Sequence, residues 1–350
     1  MALPDGRALI AGSERVAAFF ENALDENGLL KTCDFRDDVS SIYKLPTFLF
    51  TAGRWELCHK VLDDIKARFM QPDGDFISWP GRSGLERKTS NPRQQLFWPY
   101  LNTWIAMASH RLGRFDISVP ARRYLETYYN PNVGGFGTSG PFDKASNGAK
   151  YDVGIFMSSH LGLAFMYFGD MEKAIAVGEL MGRFVTKQTA LNEYFLLRMR
   201  GDTGELVTEL PEDLALYYRL DRSKPNQLFF MLGYPVFFLY YLSQATGEKK
   251  YIETAEKILD FLLTCDESFF SFFLSHKCAY GASLIALATG KDKYRQMSAR
   301  VAGYLLSCQT KEGSLDLGLP PMGTLDQTAE IGTWMKEIGL AFVRADSKKK

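Results

Sequence analysis

The chain has 350 residues, and its 41 lysines and arginines balance its 41 aspartates and glutamates, so the formal net charge is zero. This balance excludes an overall field that would favour nucleic acid or an anionic membrane as partner. Hydrophobic residues make up 46% of the chain and aromatic residues 14%, a rich supply for a core or an apolar cavity.

Features of exported and membrane-spanning proteins are missing from the sequence. The N-terminus lacks a basic stretch followed by an apolar one, so we expect no secretory signal, and no run of eighteen apolar residues indicates a membrane span. The cysteines lie singly, without a CxxC pair: Cys33, Cys58, Cys265, Cys278 and Cys308. We therefore expect a reduced, soluble, cytoplasmic protein.

A short phrase recurs along the chain. An apolar segment ends in glycine plus a polar residue, a second segment follows at once, and a polar turn that contains glycine closes the pair. The first part of the phrase occurs at Gly53-Arg54, Gly113-Arg114, Gly169-Asp170, Gly247-Glu248 and Gly290-Lys291. A fixed phrase at long and irregular spacing indicates stacked helical hairpins joined by loops of variable length.

In chain order, helical periodicity with glycine stops predicts twelve helices. The predicted spans are 12–25, 40–52, 55–69, 94–112, 117–129, 153–168, 171–187, 224–245, 250–265, 276–289, 292–308 and 324–344. Strand signals are sparse, and the segment Gly204-Glu205-Leu206-Val207 is predicted as one edge of a small hairpin. If the last helix pairs with the first, twelve helices form six hairpins, the number that closes an all-α fold of the α/α-toroid type. We therefore predict one domain over residues 1–350, with an open TPR-like or HEAT-like solenoid as the alternative.

Residue type separates inner from outer helices. A helix that is apolar on all sides is buried on all sides, whereas an amphipathic helix faces solvent along one stripe. The predicted inner helices are 94–112, 153–168, 224–245 and 276–289, and the clearest outer ones are 55–69, 250–265 and 292–308. The long links 70–93, 130–152 and 188–223 all lead from outer to inner helices. We expect them to gather on one face, at the N-termini of the inner helices, where binding sites commonly lie.

The sequences of the closing turns resemble those of known protein families. The segment Gln71-Pro72-Asp73-Gly74-Asp75-Phe76, and more loosely Gln309 to Leu315, resembles the turn repeats of terpenoid cyclases and protein prenyltransferase β subunits. Six-hairpin toroids also occur in glycoside hydrolases and sugar epimerases. The resemblance implies a toroid, but the acidic Asp-x-Asp-Asp run of squalene-type cyclases, the prenyltransferase zinc site and a DDxxD motif are all missing. We therefore expect neither a metal nor a redox cofactor.

Candidate catalytic residues lie near the predicted N-termini of inner helices. Asp326 and Glu330 are four residues apart and share a helix face, which suits a general acid and base if burial raises one pKa. The alternative is a helix cap with acidic first-turn residues at Thr324-Leu325-Asp326-Gln327. Asp152, Phe156 and His160 are predicted to share a second stripe. We expect His160 or Asp152 to be the proton-transfer partner, and the alternative for His160 is an ordinary core histidine.

Aromatic and amide side chains are abundant on the same predicted helices and loops. The residues we expect to shape a substrate pocket are Trp79, Gln95, Trp98, Asn102, Phe230, Tyr234, His276 and Tyr280. The alternative for most of them is ordinary core packing. The basic cluster Arg82, Arg87, Lys88 and Arg93 is predicted either to grip an anion or to lie in a solvated loop.

These observations favour an enzyme of small-molecule metabolism. We expect cyclisation, isomerisation or elimination of a hydrophobic terpenoid- or polyketide-like substrate by acid–base catalysis. A six-hairpin glycoside hydrolase or sugar epimerase is the second hypothesis, and a non-catalytic binding scaffold is the third. No nucleic-acid partner is expected.

Overall fold

The computed structural model describes residues 3–32 and 34–348, and of Arg93 it describes the backbone alone. Cys33 lies outside the described residues. Thirteen α-helices occur in the described chain, and each of the twelve predicted helices corresponds to one of them. They are α1 (Gly6–Ala23), α2 (Leu45–Ala52), α3 (Trp55–Phe69), α4 (Pro92–Gln95), α5 (Trp98–Arg111), α6 (Phe115–Glu126), α7 (Ile155–Tyr167), α8 (Met171–Thr186), α9 (Phe230–Thr246), α10 (Lys249–Leu262), α11 (His276–Thr289), α12 (Asp292–Ser307) and α13 (Pro321–Ser347).

Three small antiparallel strand pairs lie in the links between helices. Strand β1 (Tyr129–Asn130) pairs with β2 (Gly135–Phe136), β3 (Val153–Gly154) with β5 (Arg198–Met199), and β4 (Tyr194–Leu196) with β6 (Arg219–Asp221). The predicted strand signal near Leu206 is an isolated bridge to Met199.

The main errors in the predicted helix bounds have local causes. Helix α9 begins at Phe230 and not at 224, because Asn226 has a positive φ of 53° that a helix cannot contain. Helix α7 begins at Ile155 because the two residues before it are paired in β3. Helix α13 begins earlier than predicted, at Pro321, a residue type favoured in the first helical turn.

The described chain divides into two compact units. The terminal unit contains Arg7–Thr127 and Leu306–Glu337, and the central unit contains Tyr128–Leu305 together with residues 3–6 and 338–348. The organisation as one domain stays a prediction.

Inner and outer helices are arranged as predicted within each unit. In the central unit the apolar helix α9 packs between α7 and α11, and the amphipathic helices α8 and α10 lie against them. In the terminal unit the apolar helices α2 and α5 contact each other, while α3 packs on α2 and α6 on α5. Burial of the apolar helices on several sides explains why their sequences lack a polar stripe.

The closing turns connect one hairpin to the next. Gly74, in the turn after α3, has a φ of 92°, and a Cβ there would lie 2.2 Å from the backbone oxygen of Pro120 in α6. Gly313, in the turn after α12, has a φ of 99° and is equally close to the backbone oxygen of Arg15 in α1. Only glycine fits both the backbone conformation and the close approach. In these two turns, glycine therefore allows the turn after one helix to pack against the backbone of another helix.

The last helix pairs with the first, as predicted. The hydroxyl of Ser13 in α1 donates to the backbone oxygen of Gly332 in α13 at 2.8 Å. Lys336 of α13 forms an ion pair with Glu14 at 2.6 Å, and the Gln309 amide donates to the backbone oxygen of Gly12. The terminal unit is therefore held together by contacts between the two ends of the chain.

The long links of the central unit meet as predicted. The link that precedes α7 pairs with the link that precedes α9 through β3 and β5. The backbone N–H of Asp266, before α11, donates to Arg222 in the same link as β6. These links thus form a continuous layer at the N-termini of α7, α9 and α11.

Candidate active site

The strongest candidate site is a buried ion cluster in the terminal unit. Lys44 immediately precedes α2, and its ammonium lies 2.8 Å from Asp326 Oδ2 and 2.5 Å from Glu330 Oε2. All three side chains are almost completely buried. The structure thus brings the two predicted carboxylates together and adds a lysine that sequence reasoning missed. The one feature of the sequence that could have indicated Lys44 is its position as a lone lysine at the start of an apolar segment.

Asp326 does not cap its helix. Helix α13 begins at Pro321, which places Asp326 in the second turn, and its carboxylate accepts from the side chains of Lys44 and Gln327. The capping interpretation of this residue is therefore wrong. The helix instead serves to present Asp326 and Glu330, one turn apart, to the same ammonium.

The charge balance of the cluster favours one bound proton. Burial raises the pKa of Asp326, and the nearby Glu330 carboxylate adds to this effect, although Lys44 opposes it. Burial also lowers the pKa of Lys44, but the two carboxylates outweigh burial, so the net shift is upward and the ammonium stays charged. One ammonium with two ionised carboxylates would carry a net negative charge in a buried place. A proton on Asp326 makes the cluster neutral.

Hydrogen bonding places that proton on one oxygen of Asp326. Oδ2 accepts from Lys44 and, at 2.8 Å, from the amide nitrogen of Gln327. Oδ1 is buried and has no hydrogen-bond partner among the described residues. A protonated Asp326 therefore carries its hydrogen on Oδ1, free to be donated elsewhere.

Aromatic rings surround the cluster. The Lys44 ammonium lies 5.1 Å from the ring centre of Tyr43 and 5.8 Å from that of Tyr100. The Trp334 indole donates to Glu330 Oε1 at 3.4 Å, and its ring lies 5.9 Å from that of Trp104. The acid–base groups therefore lie in an apolar, π-rich environment that strengthens electrostatic interactions.

A second buried ion pair lies in the same unit and has a different character. Asp75 accepts from Lys88, from Asn102 at 2.9 Å and from the Trp98 indole at 2.9 Å. Burial would raise the pKa of Asp75, but the Lys88 ammonium and these donors outweigh it, so the net shift is downward. An ionised carboxylate with filled acceptor positions is a structural anchor. Trp98 and Asn102, predicted as pocket residues, contact this anchor.

The other predicted residues of the loop before α5 have separate positions. Lys88 is fully buried, so the solvated-loop interpretation of that residue is wrong. The half-buried Trp79 stacks with the guanidinium of Arg82, 4.0 Å from its ring centre. Gln95 donates to the backbone oxygen of Thr89 at 2.9 Å. The side chain of Arg93 lies outside the described part of the chain.

A network around Asp38 holds this loop in place. Asp38 is buried, and its carboxylate accepts from the backbone N–H of Ser40 and, at 2.8 Å, from that of Ser90. Gln94, in the short helix α4 that follows the loop, contacts the segment that carries Lys44. Its amide donates to the hydroxyl of Tyr43 at 2.9 Å. The loop is thus tied to the segment that carries Lys44.

The predicted residues of the central unit form a buried aromatic group. The His160 ring stacks on Tyr234 with ring centres 4.4 Å apart, and Phe156 packs edge-on against both Tyr234 and Phe230. His276 contacts the backbone oxygen of Phe273 through Nδ1, so that Nε2 accepts from the buried Lys277 at 2.9 Å. The Tyr280 and Tyr241 hydroxyls are 2.5 Å apart.

Asp152 does not share a helix stripe with His160. It precedes β3, outside α7, and its surroundings are the Arg198 guanidinium and the Tyr218 hydroxyl. Burial raises the pKa of Asp152, although both neighbours oppose the shift. The stripe prediction was wrong because β3 pairs with a strand that follows α8, which sequence periodicity does not reveal.

Among residues 3–32 and 34–348, no three His, Cys, Asp or Glu side chains are grouped so that they could hold a metal ion. In the same part of the chain, no helix combines the length and apolar character needed to cross a bilayer.

Comparison with known proteins decides the fold. The chain matches no protein-family model and no curated protein. Among solved structures, it is similar to a D-mannose isomerase over 97% of this chain and 99% of the other, with a TM-score of 0.65 and 12% identity. The fold is an α/α toroid.

Two further solved structures show the same fold with different chemistry. One is a type II terpene cyclase from Scytonema in complex with merosterolic acid A, with a TM-score of 0.59, 13% identity, and 96% and 98% of the two chains covered. The other is a GH76 α-1,6-mannanase from Salegentibacter sp. HEL1_6, with a TM-score of 0.61, 12% identity, and 95% and 99% covered. At these identities the likeness extends to the fold alone.

Proposed function

We propose that this α/α toroid is an enzyme that cyclises, isomerises or eliminates a hydrophobic terpenoid- or polyketide-like substrate by acid–base catalysis. The observation that carries the proposal is the Lys44–Asp326–Glu330 cluster, in which Asp326 Oδ1 is buried without a hydrogen-bond partner among the described residues and aromatic rings lie close by. Asp326 is the general acid. Glu330, which accepts hydrogen bonds from Lys44 and Trp334, is the matching base.

The environment supports these roles. A carboxylic acid donates a proton effectively when burial keeps it neutral near the working pH, and the upward pKa shift of Asp326 has this cause. Lys44 supplies the positive charge that balances one carboxylate of the cluster, because its ammonium remains protonated. Aromatic faces stabilise positive charge that develops on an apolar substrate, and several surround the cluster. Among the solved structures, the type II terpene cyclase in complex with merosterolic acid A is a precedent for terpene cyclisation in this fold.

The second candidate is a carbohydrate-active enzyme. It is favoured by the similarity to the mannose isomerase and the mannanase, and by a carboxylate pair next to aromatic rings. The aromatic rings around the cluster support it less well, because a sugar carries a hydroxyl group on nearly every carbon and ring faces would leave most of these groups without a hydrogen bond.

A thermal-shift screen separates the two candidates. One set of compounds holds polyprenyl and polyketide-like lipophiles, with and without magnesium, and the other holds mono- and oligosaccharides. A ligand at a hundred times its dissociation constant stabilises a fold by about 2.7 kcal/mol, which moves the midpoint measurably. Stabilisation by lipophiles is expected, and stabilisation by sugars alone would overturn the proposal.

Turnover of the stabilising lipophiles then tests the catalytic assignment. Product formation is followed by mass spectrometry for Asp326→Asn and Glu330→Gln, with exposed-carboxylate variants Asp37→Asn and Glu56→Gln as controls. We expect binding to persist in Asp326→Asn while turnover falls by about 10²–10⁴-fold, the usual contribution of a positioned acid. Turnover of Asp326→Asn equal to that of Asp37→Asn would remove Asp326 from the mechanism.

A further inference from the structure

Three buried oxygen atoms near the Lys44 cluster have no hydrogen-bond partner among the residues that the structure describes. They are Asp326 Oδ1, Gln327 Oε1 and Gln94 Oε1. All three belong to the terminal unit. Buried polar atoms in native proteins nearly always have a partner, so several unpartnered oxygens in one region need an explanation.

The orientation of Gln327 is fixed by its neighbour. Its amide nitrogen donates to Asp326 Oδ2 at 2.8 Å, and the same oxygen accepts from Lys44. Oδ2 is therefore an acceptor, and a reversed amide would place two oxygens against each other. The amide oxygen of Gln327 must be the end that has no partner.

Gln94 approaches the cluster from the loop before α5. Its amide nitrogen donates to the Tyr43 hydroxyl at 2.9 Å, and the Tyr43 ring lies against the Lys44 ammonium. Gln94 itself is buried. One glutamine thus contacts Asp326 and the other contacts Tyr43, and both of these residues lie against Lys44.

The chemistry of these atoms selects the group that would satisfy them. An amide oxygen accepts from O–H or N–H and repels a carboxylate or phosphate. A cationic ammonium is disfavoured because Lys44 is already charged and buried. A neutral hydroxyl fits both requirements, and the surrounding rings require that the rest of the molecule be apolar.

We propose that Gln327 and Gln94 are specificity-determining residues that accept hydrogen bonds from a hydroxyl group of the substrate. The substrate class is then an apolar skeleton that carries at least one phenol, enol or alcohol. This inference rests on the proposed function and narrows it. The hydroxyl end of the molecule lies beside Asp326, and the skeleton lies against the aromatic rings.

A pair of probes with nearly the same shape tests the inference. The probes are 4-hydroxybiphenyl, which has a donor, and 4-fluorobiphenyl, which has none, and binding to the full chain is measured by calorimetry. The variants are Gln327→Met and Gln94→Met, with the exposed Gln296→Met on α12 as control. Circular dichroism verifies that each variant is folded.

In the wild-type protein and in Gln296→Met we expect the hydroxy probe to bind about tenfold more tightly, the effect of one or two net hydrogen bonds. In Gln327→Met and in Gln94→Met the preference should fall, and in the double variant it should vanish while the fluoro probe binds as before. Equal binding of both probes to the wild-type protein, or an unchanged preference in the double variant, would overturn the inference and leave the proposed function standing. Failure of both probes to bind, while sugars stabilise the protein, would overturn both.

Discussion

Replacement of Lys44 by methionine removes the only positive charge that the described structure places against Asp326 and Glu330. Methionine matches the lysine stem in length and keeps the apolar contacts with Tyr43 and Tyr100. The change therefore tests the contribution of the ammonium charge alone. Two carboxylates then share a buried place without a counter-ion.

The expected loss of stability is large and depends on pH. Removal of one partner of a buried ion pair costs about 3–5 kcal/mol, because an uncompensated charge remains. Without Lys44, the pKa of Asp326 rises further, since Lys44 is the group that opposes its upward shift. Between the ordinary value of 3.8 and the raised pKa of Asp326 in the folded variant, the folded variant binds more protons than the unfolded chain. Each extra proton lowers the free energy of unfolding by about 1.4 kcal/mol per pH unit as the pH rises. The loss should therefore be greatest at pH 8 and smaller at pH 5.

Urea unfolding followed by tryptophan fluorescence measures the difference. Asp326→Asn is the informative partner, because asparagine imitates the protonated acid and leaves one ammonium with one carboxylate. We expect it to cost about 1 kcal/mol or less, the usual scale of a conservative polar change. Lys60→Met, at an exposed site on α3, is the matched control. A Lys44→Met loss that is the same at pH 5 and pH 8, or an Asp326→Asn loss as large as that of Lys44→Met, would refute the charge assignment.

The Asp75–Lys88 ion pair, the turn at Gly74 and the buried thiol of Cys58 can each be tested by a separate measurement. Asp75→Asn should cost about 3–5 kcal/mol at pH 7, since it leaves the Lys88 ammonium buried without a counter-ion. The pKa of Asp75 is lowered in the fold, so the wild-type pair stabilises above pH 3.8 and weakens as the pH falls below it. Urea titrations at pH 3 and 7 should show this acid sensitivity in the wild type and not in the variant. Gly74→Ala should cost about 3 kcal/mol, from positive φ and a clash with a backbone oxygen, against about 1 kcal/mol for Gly53→Ala in open space. Equal thermal midpoints would contradict that reasoning. Burial raises the pKa of the Cys58 thiol to about 12, so iodoacetamide at pH 8 should label it only after unfolding, as peptide mass spectrometry can show.

The sequence was sufficient for the helices because their signals are local. Glycine after an apolar segment marks a helix end, and Gly53, Gly247 and Gly290 all adopt the left-handed conformation there. The pairing of Asp326 with Glu330 was equally local, because residues four apart share a helix face.

The partners of these residues could not be read from local pattern. Lys44 lies 282 residues from Asp326 along the chain, and no periodicity connects them. The Asp75–Lys88 pair could not be predicted, because a lysine in a polar loop is normally solvated. Asp152 was misplaced because a strand pairing between distant links replaced the expected first turn of a helix. In each case the deciding interaction is tertiary, so it depends on the assembled fold.

The contact between α1 and α13 has a consequence for how the protein is made. Gln309 reaches Gly12 across 297 residues, and Ser13 reaches Gly332 across 319. At a synthesis rate of about 5–20 residues per second, α1 leaves the ribosome roughly 15 to 60 seconds before its partner exists. During that interval its apolar face has no native cover, and nascent chains that stall before α13 should engage chaperones or aggregate.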